Sequence, residues 1–248
     1  MNRIQDSFYG AWRQLLPATV LLALIVGCCN KPNMTTSAPA AQPPKPHVVN
    51  YATKFPLTEG PISEDGHWIG GKTVGLDWGD VSTRPGYASG VAGPTRFADS
   101  VALLTGDWPA NQSVEAVVDR KKVFNAPEVS LRLRSSMATH LCDGYEISYS
   151  SHDSDSDYFI IVRWNGGLAD FTLLADGQGK QYGVKTGDVI KATMVGNVIK
   201  TYKNGVLMGA AKDNTYIYGK PGFGFNEGKN GDYGISSFTA AATDASNF

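Results

Sequence analysis

Helical periodicity is missing from this 248-residue chain after about position 50: nowhere there do apolar residues keep a spacing of three and four for more than a few residues. That excludes a helix bundle and, with no crossover helices, an alternating α/β sheet. Charge of either sign is scarce too, with 22 Lys and Arg against 23 Asp and Glu and a formal net charge of −1. Such a balance excludes a basic nucleic-acid footprint and an acidic disordered tail, so nucleic acid is not an expected partner. Of three cysteines only Cys142 lies beyond position 29, so the body of the chain has no disulfide of its own and must be held by its core. No second long apolar run exists, which excludes a multi-span membrane protein. There is no Gly-x-Ser-x-Gly nucleophile elbow and no strand-to-helix phosphate loop. His140, Cys142 and His152 lack a four-ligand zinc spacing.

What is present begins with a leader. Arg3 and Arg13 give residues 1–27 a positive start, although Asp6 dilutes it, and Leu15–Gly27 is apolar but broken by Pro17. A spanning helix needs about 20 apolar residues, so this run suits a signal peptide instead. Ile25-Val26-Gly27-Cys28 resembles the bacterial lipoprotein box, which implies diacylation of Cys28, cleavage before it and a palmitate-bearing amino terminus. Position 29 is Cys and not Asp, so the familiar inner-membrane retention signal is absent and an outer-membrane destination in the cell envelope is expected. Residues 28–49 continue as a tether stiffened by Pro32, Pro39, Pro43, Pro44 and Pro46.

Residues 50–248 read as all-β. Short β-branched and aromatic runs recur between Gly, Asn, Asp and Ser clusters, the clearest being 113–120, 128–135, 144–150, 158–164, 188–195, 198–203, 206–211 and 233–240. Gly196-Asn197 and Asn204-Gly205 are two-residue turns that accept positive φ, which predicts a three-stranded meander over 188–211. About a dozen strands without helices give a two-sheet antiparallel β-sandwich, a jelly roll.

Several of these turns carry a resemblance. Gly187-Asp188, the hairpin Val195–Val198, Lys203-Asn204-Gly205, Asp213 and the glycine and proline cluster at 219–224 resemble the C-terminal half of bacterial laminin-G-like domains of the concanavalin A-like lectin/glucanase superfamily. The run Tyr158–Gly166 and the residues around Phe55 and Trp68 fit the same pattern. The resemblance implies a scaffold shared by lectins, glycoside hydrolases, polysaccharide lyases and adhesion modules, with ligand grooves across a concave sheet. A lectin-like or adhesion module with a polysaccharide partner is the expected function, tethered to the membrane by its lipid; the alternatives are a polysaccharide-degrading enzyme and a purely structural protein-interaction domain.

Strand alternation nominates the groove. Val129, Leu131 and Leu133 share one face, which sets Arg132 and Arg134 on the other; Glu146 opposes Tyr145, and Arg163 alternates with Trp164. If the three strands are neighbours, Arg132, Arg134, Glu146 and Arg163 share a polar face, with Tyr145 and Trp164 as rings for sugar. An ordinary solvated face with cross-strand ion pairs is the other reading. Trp68, Trp78, Trp108 and Trp164 are equally open between sugar platform and core, with Trp164 expected half-buried.

The E-x-D-x-x-E strand of the glucanase branch is absent, and Glu115 and Asp119 stand about 13 Å apart along a strand. A uronate-polymer lyase is the enzyme alternative, with Arg132 or Arg134 neutralising the carboxylate and Tyr145 or His140 as base. Asp153, Asp155 and Asp157 alternate like the first half of a calcium loop, yet its sixth and twelfth positions hold Tyr158 and Trp164. Calcium, which the superfamily carries on its convex side, is the cofactor to test there against a plain hairpin tip.

Overall fold

The two-residue turns act as their composition dictates. Gly196 (φ 58°), Asn204 (φ 51°) and Gly205 (φ 79°) adopt the positive φ that closes tight antiparallel hairpins. In the computed structural model, which describes residues 46–90, 97–121, 128–226 and 232–245, these turns join β11 (Val189–Val195), β12 (Val198–Lys203) and β13 (Val206–Lys212). The three pair antiparallel in sequence order, the predicted meander. The leader, Cys28 and most of the tether lie outside the described residues.

Among the described residues the remaining strands are β1 (Val48–Thr53), β2 (Trp68–Gly70), β3 (Val81–Arg84), β4 (Tyr87–Gly90), β5 (Ser100–Leu104) and β6 (Asn111–Arg120). They continue with β7 (Glu128–Ala138), β8 (Leu141–Ser150), β9 (Tyr158–Gly166), β10 (Phe171–Gln178), β14 (Lys220–Asn226) and β15 (Tyr233–Thr243). Among the described residues the helical segments are two single turns, Lys72–Val74 and Lys180–Tyr182. An eight-stranded sheet runs β13-β12-β11-β6-β15-β4-β3, with β1 also on β15; a seven-stranded sheet runs β10-β9-β8-β7-β14-β5-β2. The result is a two-sheet antiparallel sandwich, and β7, β8 and β9 are the consecutive neighbours that alternation requires.

Period-two burial builds the core between the sheets. Val114, Ala116 and Val118 point inward from β6, Ile190, Ala192 and Met194 from β11, and Leu131, Ile147 and Ile161 from the facing sheet. Phe223 crosses the middle edge-on to Phe55 and Trp68.

A second cluster lies on the opposite face of the seven-stranded sheet. Leu76 and Trp78 pack over Val101, Leu103, Cys142, Val162 and Trp164, and the Trp78 and Trp164 rings meet edge-on at 5.2 Å. Segment 71–79 is tied down by Gly71 N–H on the Val101 carbonyl and His140 N–H on the Gly75 carbonyl. That face, expected to be wet or to line a groove, is roofed by its own chain.

Candidate functional site

The roof decides where the nominated residues go. Arg132 and Glu146 face each other across β7 and β8 and share a face opposite Leu131 and Leu133, as alternation predicts. Both are buried: Arg132 bonds Glu146 at 2.8 Å and Asp99 at 3.2 Å. Trp164 donates its indole N–H to Glu146, and Ser148 donates its hydroxyl to the other carboxylate oxygen. Trp164 is 3% exposed, not half-exposed, because Trp78 covers it. Burial lifts the Asp99 carboxyl well above its ordinary value; the Glu146 charge adds to this and Arg132 opposes it. Arg132 Nε, Ser130 Oγ and Trp78 Nε1 have no hydrogen-bond partner among the described residues.

Arg134, Tyr145 and Arg163 go elsewhere, which corrects the expectation of one shared face. The β7 register slips between Leu133 and Ser136, where Arg134 takes φ 45°, so Arg134 leaves the row of Arg132. Its guanidinium donates to the carbonyls of Ala110, Gly196 and Tyr216. Arg163 lies opposite Tyr145 in the register, on the face away from Glu146. Arg163 and the Tyr145 hydroxyl both bond the Asp213 carboxylate, at 2.6 and 2.7 Å. Burial and that bond push the Tyr145 hydroxyl up to about 12, which keeps it a neutral donor. All three therefore hold the 213–219 loop. His140 stands apart on the surface, paired with Asp77.

The aspartates divide as well. Asp157 is buried at the β8–β9 connection and accepts the Ser150 hydroxyl and the N–H groups of His152 and Ser154. Burial opposes its charge, but these bonds and His152 hold its carboxyl below the usual range. Asp153 and Asp155 are exposed. No three His, Cys, Asp or Glu side chains converge among the described residues, so Asp153, Asp155 and Asp157 do not come together as the calcium loop the sequence suggested.

The open surface lies on the eight-stranded sheet. Residues alternating with the core on β6, β11 and β12 line a groove of about 670 Å³, and a second of about 400 Å³ adjoins it over β1 and β15. Cross-strand register sets the side chains in rows. Tyr202, Lys191, Glu115 and Thr239 lie side by side across β12, β11, β6 and β15. The next row holds Lys200, Thr193, Ser113 and Ala241. Val189, Val195 and Val198 supply apolar floor. An aromatic ring, hydroxyls, ammonium groups and a carboxylate along one open trough suit a flat polyhydroxylated ligand. Glu115 is the carboxylate of the lining; Glu146 and Asp99 are sealed on the far sheet. Apart from Glu115, weighed above only as half of a catalytic pair, these residues were not nominated from the sequence, although their signal was present in the alternation of Val189, Lys191 and Thr193 with Ile190, Ala192 and Met194.

No family model and no curated protein matches the chain. Solved structures with a similar fold include the exoplasmic/lumenal domain of VIP36 in a Ca2+/Man-bound form, with TM-score 0.50, 9% identity and coverage of 77% of this chain and 91% of that one. The potassium-bound carbohydrate recognition domain of Emp46p aligns with TM-score 0.49 and 10% identity over 77% of this chain and 98% of that one. The carbohydrate-binding module CBM66 from Bacillus subtilis aligns at 0.49 and 14% over 73% and 95%. At such identities the likeness is one of fold, a two-sheet antiparallel jelly roll.

Proposed function

We propose that this chain is a carbohydrate-binding module whose ligand lies in the groove on the outward face of the eight-stranded sheet. The carrying observation is the row of Tyr202, Lys191, Glu115 and Thr239 across four adjacent strands, open to solvent on a sheet whose other face is the core. The Tyr202 ring offers a face to pyranose C–H groups, while Glu115 and Thr239 accept from or donate to sugar hydroxyls. The Man-bound form of the VIP36 domain, which shares the fold, is consistent with this reading. Tyr202→Ala and Glu115→Gln touch only the outward face, so both should fold normally and lose retention in affinity electrophoresis against polysaccharide gels by 10-fold or more. If both variants are retained like the parent chain, the ligand is not in this groove.

The module is presented from a bacterial envelope, in an outer membrane, through acylated Cys28. The lipoprotein-like string Ile25-Val26-Gly27-Cys28 supports this, as does the proline-rich stretch that precedes the first strand. Cells fed labelled palmitate should label the parent chain and leave Cys28→Ala unlabelled; equal labelling of the two would remove the anchor.

A further inference from the structure

The groove is not electrically neutral although the chain nearly is. Lys191 faces Tyr202 across β11 and β12, and Lys200 lies two residues from Tyr202 on β12. Lys212 repeats the step: Lys200 faces Ala210 across β12 and β13, and Lys212 lies two residues beyond. Lys191, Lys200 and Lys212 thus form a diagonal stripe, each step one strand over and two residues along. Diagonal neighbours of this kind stand about 7–8 Å apart. Lys191 and Lys200 line the groove against one carboxylate, Glu115, and Lys212 carries the stripe on past its edge. The next carboxylate along β6, Asp119, is taken by Lys121, and Asp213 beyond β13 is taken by Arg163. Among the described residues neither Lys191 nor Lys200 has an ion-pair partner.

Resting on the reading of this groove as a sugar site, we infer that its ligand is an anionic polysaccharide. Its carboxylate or sulfate groups recur along the chain and meet the lysine stripe. Lysine suits the task because its ammonium is a point charge with three donors on a flexible stem, able to follow anions whose spacing differs slightly from its own. A net charge of −1 over the whole chain means that general attraction of polyanions does not give the same result.

Matched polymers test this on the purified full-length protein by affinity electrophoresis and calorimetry. Polygalacturonate is compared with its methyl ester, and dextran sulfate with dextran. The anionic member of at least one pair should bind 10-fold or more tighter than its neutral twin. That preference should shrink as salt rises from about 0.05 to 0.5 M, where screening shortens the reach of charge. The double variant Lys191→Met with Lys200→Met should lose the preference, and Lys72→Met with Lys185→Met, exposed lysines outside the groove, should keep it. Preference for polygalacturonate alone assigns the anion as carboxylate, and for dextran sulfate alone as sulfate. Equal binding of charged and neutral twins overturns the inference and leaves the groove as a sugar site. Equal losses in the two double variants also overturn it, since attraction would then be general. Binding of no polymer at all removes the inference together with the reading beneath it.

Discussion

At the scale of single residues, the most consequential group is Arg132, enclosed with two carboxylates and fully buried. Alternation on β7 and β8 was enough to put Arg132 and Glu146 on one face, and the register does so. Whether that face is wet depends on Leu76 and Trp78, more than fifty positions away, and nothing local to the strands reports them. Asp99, the third member, was equally invisible, because its segment has no strand period and reaches Arg132 only through the tertiary fold. Two buried carboxylates beside one guanidinium are unevenly matched, and burial raises the Asp99 carboxyl well above its ordinary value. A carboxyl whose folded pKa is raised contributes stability that is full below its ordinary value of 3.8 and is lost as pH rises through the folded value. The amide of Asp99→Asn cannot ionise. Urea midpoints measured in pH steps should therefore show the parent's advantage over Asp99→Asn shrinking as pH rises. Parallel curves for the two proteins would mean that Asp99 is ionised at every pH tested.

At the scale of elements, local signals were the legible ones. The turns at Gly196-Asn197 and Asn204-Gly205 announce their φ requirement in two residues, so the meander followed directly. The 213–219 loop is the contrary case. It is gripped by Arg134, Tyr145, Arg163 and Asp213, and Gln112 donates to the Gly219 carbonyl at 2.7 Å. Its anchor depends on a bulge in β7, and one extra residue there reverses the parity that alternation assumes. Arg134 thereby became a support for the loop, and Tyr145 and Arg163 reach it by plain register from the face away from Glu146. The fit around the bulge is tight: a Cβ on Gly219, at φ +137°, would come within 2.3 Å of the Arg134 carbonyl carbon. Gly219→Ala should cost more than about 1 kcal/mol, since backbone cannot yield as a flexible side-chain end can. Gly187 supplies the comparison, with φ +90° and nothing within 4 Å of the place a Cβ would occupy. Thermal unfolding should place Gly219→Ala clearly below Gly187→Ala in Tm. Equal Tm values would show that conformational strain alone sets the cost and that the bulge tolerates contact.

At the scale of the molecule, the sandwich spends its two outer faces differently. One is closed by segment 71–79 over a second apolar cluster; the other stays open as a trough with a stripe of lysines. The sheet class was legible from composition and turns, yet the choice of face was not, because a sheet's outer surface is open or closed according to what distant chain folds onto it. The two faces should then respond to perturbation separately. Cys142 reports on the closed one: it is buried beneath the roof, and burial pushes its thiol up to about 12, so it is almost wholly un-ionised at neutral pH and slow to alkylate. Leu76→Ala removes apolar volume from the roof, at a cost of about 2–5 kcal/mol for a buried leucine. Alkylation followed by peptide mass mapping should show Cys142 modified at least 10-fold faster in Leu76→Ala than in the parent. Polysaccharide retention by the same variant should stay within 2-fold, because Tyr202, Lys191 and Glu115 are carried by the other sheet. A parallel loss of retention would mean that the sheets communicate through the central core. Unchanged Cys142 labelling would mean that the roof is held by its backbone bonds to Val101 and His140 more than by the Leu76 side chain.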